Sequence, residues 1–431
     1  MKFASTRNKD HIVSFQEALF QGLSPDGGLY YPLETVDLKS IFSDFSSNSS
    51  FQDIASTMIS SLLGDEIPES DALILAQQAF PFSPKLKKLN DRINILELYH
   101  GPSSAFKDFG ASFLANSMEY FLANNDRKAV ILTATSGDTG SAVARAFYNK
   151  ANIEVVILYP SGRVSPLQEK QMTTLGNNIH ALEVMGSFDD CQKMVKDSFT
   201  DTGLKGINLS SANSINLGRL IPQSFYYIWA ECRLRSGKKP VRFCVPSGNF
   251  GNLTAGLYAK SWGLNVDQFI AATNKNDIVP AYLKNGVYNP KASVQTFSNA
   301  MDVGAPSNFE RMQILYENDI KRMRLDVQGI MVDDKDTLKT MKMVADTYDY
   351  AICPHTAVGI KAAMEMSDSS SNITVLSTAH PGKFTEVFEK AVGVKPELPE
   401  SLLAVKNLDK KCILISNKSD ELKKTLLSMF S

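Results

Sequence analysis

The sequence predicts an α/β protein built on open, largely parallel sheets. Short apolar runs rich in β-branched residues alternate along the chain with longer segments of helical periodicity. Strand–helix–strand repeats of this kind form right-handed crossover units in which the strands run parallel. In addition, three glycine-rich segments directly follow predicted strands, which is where the loops of open parallel sheets bind ligands. The ligand site is therefore expected at the carboxyl ends of the strands.

The predicted elements follow one another in a regular order. Strands are predicted at residues 93–99, 129–135, 154–159, 178–184, 241–246, 268–273, 373–378 and 411–415. Helices between most of these strands are predicted at residues 141–149, 167–175, 191–199, 220–235 and 253–262.

Several regions differ from this alternation. Before about residue 85, helical pieces surround a turn-dense segment at 22–32 (GLSPDGGLYYP), which predicts an N-terminal element packed on the α/β body. Residues 297–351 are charged and are predicted to be mostly helical, as an insertion or an outer layer. The serine-rich stretches 43–50 and 367–371 are predicted to be loops.

Composition limits the classes of partner. The 431 residues suffice for two or three domains, and a net charge of −1 gives no basic surface for nucleic acid or an anionic membrane. The five cysteines form no CxxC pair, which favours reduced thiols. No apolar run approaches the length of a membrane span or of a signal core. We expect a soluble cytoplasmic protein.

Lys107 is the first candidate for chemistry. It lies between the predicted strand 93–99 and a helical run at 111–122, with Phe106 and Phe109 on either side. A lysine amine that is kept neutral by desolvation is a nucleophile and forms Schiff bases, the usual attachment of pyridoxal phosphate (PLP). A solvated lysine at the start of a helix explains the same residue, so Lys107 alone leaves both readings open.

The three glycine-rich segments are candidates for binding anions. Residues 136–140 (SGDTG) and 246–252 (PSGNFGN) each lie between a strand and a helix, where backbone N–H groups can point at a phosphate or a carboxylate. Residues 377–383 place a hydroxyl group at a strand end. Tight turns and helix caps are the alternative for each. Neither a P-loop, a GxGxxG fingerprint nor a GxSxG elbow is present, and His355 and His380 lack the spacing of metal ligands.

Together these segments resemble one family. Residues 100–110 (HGPSSAFKDFG) are similar to the Schiff-base lysine motif of threonine synthases, and residues 135–142 (TSGDTGSA) are similar to a second motif of that family. Residues 213–219 (NSINLGR), 246–252 and 378–384 (TAHPGKF) resemble three further motifs, and residues 22–32 resemble the family's N-terminal domain. The motifs occur in the family's order over most of the chain.

The resemblance implies a fold and a division into domains. The fold is that of a fold-type II PLP enzyme, similar to the tryptophan synthase β subunit, with two open twisted, mostly parallel sheets and helices on both faces. We expect an N-terminal domain at 1–85 and a PLP-binding body at 86–400, of which roughly 110–220 forms a smaller mobile domain. Residues 401–431 are expected to pack on the large domain as a C-terminal α/β segment.

The resemblance also implies roles for single residues. Lys107 is the catalytic residue and holds the cofactor. The other cofactor-binding residues are Gly248, Asn249, Phe250, Gly251 and Asn252, which hold the phosphate, and Thr378, which bonds the pyridine nitrogen. The substrate-binding residues are Ser103, Ser136, Gly137, Asp138, Thr139, Asn213, Ser214 and Arg219. No metal is expected. Ser104 and Cys353 depart from the family pattern and are expected to tune the site.

The implied reaction is the conversion of O-phospho-L-homoserine and water to L-threonine and phosphate by a PLP-dependent carbon–oxygen lyase. Lys107 is expected to act as the proton shuttle, with closure of the cleft between the domains. The alternatives on the same fold are a phospholyase, a threonine or serine dehydratase, or a non-catalytic ligand-binding relative. A monomer or a small homo-oligomer is expected.

Overall fold

The structure, a computed structural model, describes residues 1–123, 127–235, 240–368 and 372–430. Within these ranges the chain forms one three-stranded, one five-stranded and one six-stranded sheet. The two larger sheets are mostly parallel and carry helices on both faces, so the predicted fold class is confirmed. None of the helices in these ranges combines the length and apolar character needed to span a bilayer.

The N-terminal part is a small antiparallel sheet with four helices. Its strands are β1 (Phe3–Ser5), β2 (Ile12–Val13) and β3 (Tyr30–Pro32), in the order β2-β1-β3. Its helices are α1 (Phe15–Gln21), α2 (Lys39–Asp44), α3 (Phe51–Leu63) and α4 (Glu69–Ala79). Ser14 and Ser50 begin α1 and α3 with capping boxes, which satisfy backbone N–H groups at the helix starts.

The six-stranded sheet forms the larger α/β unit. Its strands are β4 (Lys85–Lys88), β5 (Ile93–Glu97), β10 (Val241–Pro246), β11 (Gln268–Thr273), β12 (Val327–Met331) and β13 (Asn372–Ser377). They lie in the order β12-β11-β10-β13-β5-β4, and all neighbours are parallel except β4 and β5. The central strands are almost wholly buried, as parallel strands covered on both faces require.

The five-stranded sheet is parallel throughout. It consists of β6 (Ala129–Ala134), β7 (Ile153–Pro160), β8 (Ile179–Met185), β9 (Leu209–Ser210) and β14 (Cys412–Ser416), in the order β14-β8-β7-β6-β9. The expectation that residues 401–431 pack on the larger domain is wrong for β14, which pairs with β8. Ile415 and the buried face of the last helix, Leu422 and Leu426, complete the apolar core of this sheet.

The remaining helices connect these strands. They are α5 (Lys107–Leu122), α6 (Asp138–Phe147), α7 (Pro166–Thr173), α8 (Phe188–Thr200), α9 (Leu217–Leu220), α10 (Gln223–Leu234), α11 (Gly251–Ser261), α12 (Ile278–Asn285), α13 (Phe309–Leu315), α14 (Ile320–Asp326), α15 (Asp334–Tyr348), α16 (Pro354–Met366), α17 (Thr385–Val392), α18 (Glu400–Leu403) and α19 (Ser419–Phe430). Short 3₁₀ turns lie at Thr202–Leu204, Asn299–Met301 and Pro381–Phe384.

All of the strands predicted between residues 93 and 415 are present, with ends that differ by at most about two residues. The prediction that 297–351 is an outer helical layer is wrong at β12, an edge strand parallel to β11. Gly329 breaks the apolar pattern that would predict this strand. The packing nevertheless requires glycine at this position, since an added Cβ would lie 2.6 Å from Cα of Pro280. The predicted loop at 43–50 is wrong at Ser43 and Asp44, which end α2, and is confirmed at 45–50; of the predicted loop at 367–371, residues 369–371 lie outside the described residues. The domain boundaries stay predictions.

Candidate active site

Lys107 is the first residue of α5, and the chain before it is fixed to the end of β13. Ala105 forms an antiparallel bridge with Ala379. The backbone N–H of Phe106 donates to the carbonyl of Thr378 at 2.8 Å. The predicted cofactor lysine and the predicted partner of the pyridine nitrogen are therefore joined through adjoining backbone, although they are far apart in sequence.

The amine of Lys107 lies in a largely buried and highly charged environment. Its side chain is 18% exposed, and Nζ lies 3.7 Å from Oδ2 of Asp138. Burial lowers the pKa of Lys107; Asp138 opposes this, and the cations Lys383 and Arg219 lower the pKa further. A larger share of this amine is consequently neutral near physiological pH than for an ordinary lysine, as a nucleophile or general base requires.

Lys383 is the second amine at this place. Its side chain is fully buried, and Nζ lies 2.8 Å from Oδ1 of Asp138 and 2.7 Å from the carbonyl oxygen of Ser103. Gln168 donates to the same Oδ1 at 2.8 Å. Although burial raises the pKa of Asp138, Lys383 and Lys107 hold it well below its usual range. Asp138 is therefore a carboxylate anion between two amines.

The loop after β10 offers backbone N–H groups that are suited to binding a phosphate. Phe250 has a φ of 61°, in the left-handed region, and α11 begins at the next residue. Within the described residues, the backbone N–H groups of Gly248, Asn249 and Phe250 donate to no protein acceptor. An added Cβ on Gly248 would lie 2.6 Å from Cα of Met301, so the loop packs too closely there for a side chain. The N–H groups at this helix start are available to an anion.

The two asparagines of this loop have structural partners. The side chain of Asn249 donates to Oγ of Ser214 at 2.7 Å and accepts from the N–H of Ser307 at 2.6 Å. Oδ1 of Asn252 accepts from the hydroxyl groups of Tyr226 and Tyr227, each at 2.6 Å. Asn249 thereby joins the loop after β10 to the segment predicted to hold the substrate phosphate.

That segment, residues 213–219, is half-buried at its first three residues and buried from Asn216 to Arg219. Oδ1 of Asn213 and Nε of Arg219 are buried and make no hydrogen bond in the described part of the chain. Arg219 donates to the carbonyl of Ala212, and burial lowers the pKa of Arg219 to about 10. An added Cβ on Gly110 would lie 2.6 Å from the carbonyl oxygen of Arg219, so this residue lies directly against the first turn of α5.

The loop after β6 contributes chiefly its backbone. Gly137 has a φ of 139°, and the N–H groups of Gly137 and Gly140 both donate to Oγ1 of Thr135. The side chain of Asp138 is negatively charged and already held by amines, so it cannot receive a substrate carboxylate; only its N–H can. Ser136 is exposed and Thr139 half-buried, and within the described ranges neither side chain hydrogen-bonds to the residues around Lys107.

The two histidines have separate environments. Nε2 of His355 accepts from the N–H of Ala300 at 3.2 Å, and burial lowers the pKa of His355 to about 4. His380 packs edge-on against Tyr99, and its Nδ1 accepts from the N–H of Gly382 at 3.1 Å. Burial also lowers the pKa of His380 to about 4. Both imidazoles are neutral near physiological pH.

The two departures from the family pattern have local structural roles. Ser104 has a φ of 57° and its Oγ lies 2.6 Å from Oγ of Ser401. Cys353 begins α16, where its Sγ accepts from the N–H of Thr356. Neither side chain contacts Lys107 in these hydrogen bonds.

Sequence reasoning missed Lys383 and Gln168 as site residues, and the only signal for Lys383 was its place in the motif at 378–384.

These residues fit PLP. Lys107 offers an amine with a lowered pKa, and the loop at 248–252 offers N–H donors without partners at a helix start. The backbone of Met301 lies so close to Gly248 that this part of the loop is formed by main-chain atoms. Bound PLP supplies an electron sink for negative charge on the carbon that carries the substrate amino group.

Comparison with known proteins identifies the family. Residues 78–378 match the model for pyridoxal-phosphate dependent enzymes, residues 2–80 that for the threonine synthase N terminus and residues 356–426 that for the threonine synthase C-terminal region. Threonine synthase of Serratia marcescens is 42% identical over 404 residues, 93% of each chain.

Solved structures agree. The crystal structure of threonine synthase from Escherichia coli has a TM-score of 0.93 and 40% identity, with 100% of each chain covered. The PLP-bound threonine synthase from Brucella melitensis has a TM-score of 0.92 and 35% identity, with 99% of this chain and 98% of that one covered. The cofactor expected from the sequence is confirmed, and the chain belongs to the threonine synthase family of PLP-dependent enzymes.

Proposed function

We propose that the chain converts O-phospho-L-homoserine and water to L-threonine and phosphate, with PLP as its cofactor. The observation that carries this proposal is the hydrogen bond from Asn249 to Ser214, at 2.7 Å. It joins the loop suited to the cofactor phosphate to a second polar segment, which contains the buried Arg219. A substrate with its own phosphate needs a second phosphate site beside that of the cofactor, whereas serine or threonine carries no phosphate and needs none.

Each predicted residue has a role in this proposal. Lys107 holds the cofactor at rest, and the N–H groups of Gly248 to Asn252 hold its phosphate. Thr378 at the end of β13 bonds the pyridine nitrogen. Ser103 contacts the substrate, and Asn213, Ser214 and Arg219 lie at its phosphate. The loop of Ser136, Gly137, Asp138 and Thr139 receives the carboxylate through N–H groups other than that of Gly137, which already donates to Thr135.

The overall reaction breaks the bond between the γ-carbon and the phosphate oxygen and places a hydroxyl group on the β-carbon. The amine of Lys107, once free, takes a proton from the α-carbon and serves the later proton transfers at the neighbouring carbons. Its lowered pKa suits a base that is used repeatedly near neutral pH. Arg219, which lies against the first turn of α5, stabilises the leaving phosphate as a charge-assisted donor.

The test is incubation of the PLP-loaded protein with O-phospho-L-homoserine, with threonine, 2-oxobutyrate and phosphate measured together. Equal amounts of threonine and phosphate are expected. Phosphate with 2-oxobutyrate but no threonine would identify a phospholyase, and turnover of threonine or serine alone would identify a dehydratase. The absence of any product would leave a ligand-binding relative.

A variant at Ser214 distinguishes a role in binding the substrate phosphate from a general loss of structure. Ser214→Ala removes the hydroxyl group between the two anion sites and should raise KM for O-phospho-L-homoserine about tenfold, the effect of losing one hydrogen bond to a charged group. Ser198→Ala is the matched control, since Oγ of Ser198 donates to the carbonyl of Met194 within α8. Its KM should equal that of the wild type.

We further propose that the chain acts in the cytoplasm as a monomer or a small homo-oligomer. All five cysteines are free thiols, and four of them are buried. Reduced thiols of this kind are typical of proteins in a reducing compartment. Sedimentation of the purified protein measures the assembly.

A further inference from the structure

Lys383 is a buried cation that the proposed reaction does not use. Its side chain is fully buried beside the site, and its ammonium group contacts Asp138 at 2.8 Å and the carbonyl of Ser103 at 2.7 Å. Withdrawal of a lysine from water is unfavourable unless a partner compensates for it, so a neutral, apolar residue would fill this position at lower free energy. The retained charge therefore calls for an explanation in the site itself.

The geometry around Asp138 supplies that explanation. Oδ1 of Asp138 accepts from Lys383 and from Gln168, each at 2.8 Å, whereas Oδ2 lies 3.7 Å from Nζ of Lys107. The short contacts thus go to Lys383 and Gln168, and the longer one goes to the reactive amine. If Lys107 were the only cation near this carboxylate, the pair would strongly favour the ammonium form of Lys107.

We propose that Lys383 is a positioning residue that holds and neutralises Asp138, so that Asp138 orients the Lys107 amine without locking a proton on it. The proposal rests on the proposed role of Lys107 in turnover. Lys383 belongs to the 3₁₀ turn after β13 and Asp138 to the start of α6, so the ion pair also connects the two larger sheets at the site. The amine of Lys383 needs no contact with substrate for this role.

The other charged groups near Lys107 do not replace Lys383. Arg219 of α9 donates to the carbonyl of Ala212, and His355 of α16 is held as a neutral acceptor by the N–H of Ala300. Asp108, the neighbour of Lys107 in α5, accepts from the N–H of Ser103 at 2.9 Å, and burial raises the pKa of Asp108 to about 6. In the described part of the chain, Asp138 forms ion pairs with Lys107 and Lys383 and with neither Arg219 nor His355.

The test is a cycle of variants: Lys383→Met, Asp138→Asn and the double variant with both changes. The readout is the rate at which an amine-acylating reagent labels Lys107 in the full-length chain freed of PLP, followed by peptide mass spectrometry from pH 6 to 10. Only the neutral amine reacts, so this rate reports the protonation of Lys107 independently of turnover. Lys150 is the internal control, because its side chain is 19% exposed and paired with Glu119.

Removal of Lys383 alone leaves Asp138 as an uncompensated anion, and labelling of Lys107 near pH 7.5 should slow about tenfold or more. Asp138→Asn should accelerate labelling. The double variant removes both charges and should return the rate to within about threefold of the wild type, with Lys150 unchanged throughout. Lys383→Arg, which keeps the charge, should also stay near the wild-type rate.

Two outcomes would overturn the proposal: wild-type labelling in Lys383→Met, or a double variant as slow as Lys383→Met, which indicates a packing role. If Lys383→Met does not fold, as judged by circular dichroism, unaltered labelling in Asp138→Asn also overturns it.

In the holoenzyme, the acidic limb of the pH profile for phosphate release should move to higher pH in Lys383→Met. An enzyme that makes no threonine but shows the expected labelling cycle would reject the proposed function alone.

Discussion

Replacement of Arg311 by methionine should destabilise the protein and weaken the substrate site together. Arg311 is fully buried in α13, and each arm of its guanidinium group has one acceptor. Nε donates to the carbonyl of Tyr30 at 2.7 Å, Nη2 to the carbonyl of Ile215 at 2.7 Å and Nη1 to Oδ1 of Asn308 at 2.6 Å. One side chain thus joins the N-terminal sheet to the segment that contains Ser214.

The magnitude follows from the acceptors left behind. Methionine fills part of the volume but leaves three acceptors without this donor, and each such buried group costs about 1–2 kcal/mol. Relief from burying a positive charge offsets part of that loss, because the guanidinium group has no carboxylate among these three partners. We expect a net loss of about 3 kcal/mol in the free energy of unfolding. KM for O-phospho-L-homoserine should rise as well, since Ile215 loses its anchor.

The assay is urea unfolding followed by circular dichroism, combined with steady-state kinetics on the same preparations. Arg324→Met is the matched control, because Arg324 also donates to two carbonyl groups, those of Leu283 and Lys284, but is exposed. Its free energy of unfolding should change by no more than about 0.5 kcal/mol. Equal losses in the two variants, or a stable Arg311→Met with a wild-type KM, would refute the reasoning.

Three other changes give distinct results. Lys107→Ala should abolish threonine formation and leave the far-ultraviolet circular dichroism unchanged, since the side chain is not part of the apolar core. Gly248→Ala should weaken PLP binding at least tenfold in a fluorescence titration, because the new Cβ would lie 2.6 Å from Cα of Met301. In Glu97, burial raises the pKa, but hydrogen bonds from His100 and tyrosine hydroxyl groups lower it to about 2. This carboxylate therefore stabilises the fold above pH 4.5 by about 3 kcal/mol, and the advantage over Glu97→Gln in urea unfolding should vanish as pH falls towards 2.

The strands and the positions of the glycine-rich loops could be predicted because their signals are local. A buried parallel strand must be apolar along its whole length, as at Val241–Pro246, and a loop that exposes successive N–H groups needs glycine or asparagine. Two assignments failed where packing overrides the local pattern. Gly329 breaks the apolar pattern of β12 because Pro280 lies against it, and β14 pairs with β8 and shares its apolar core, although the two strands are far apart in sequence.

The role of Asp138 shows why the site could be located but not fully assigned. The motif at 135–142 predicts an anion-binding turn, and its backbone geometry depends on residues next to one another. The charge on the Asp138 side chain depends on Lys383, which lies 245 residues further along the chain (383 minus 138) and is brought within 2.8 Å only by the packing of the two sheets. A carboxylate beside one amine would stabilise the ammonium form of Lys107, whereas a carboxylate shared by two amines leaves a base that can give up its proton. The chemistry at Lys107 therefore follows from a contact between the sheets that neither motif encodes by itself.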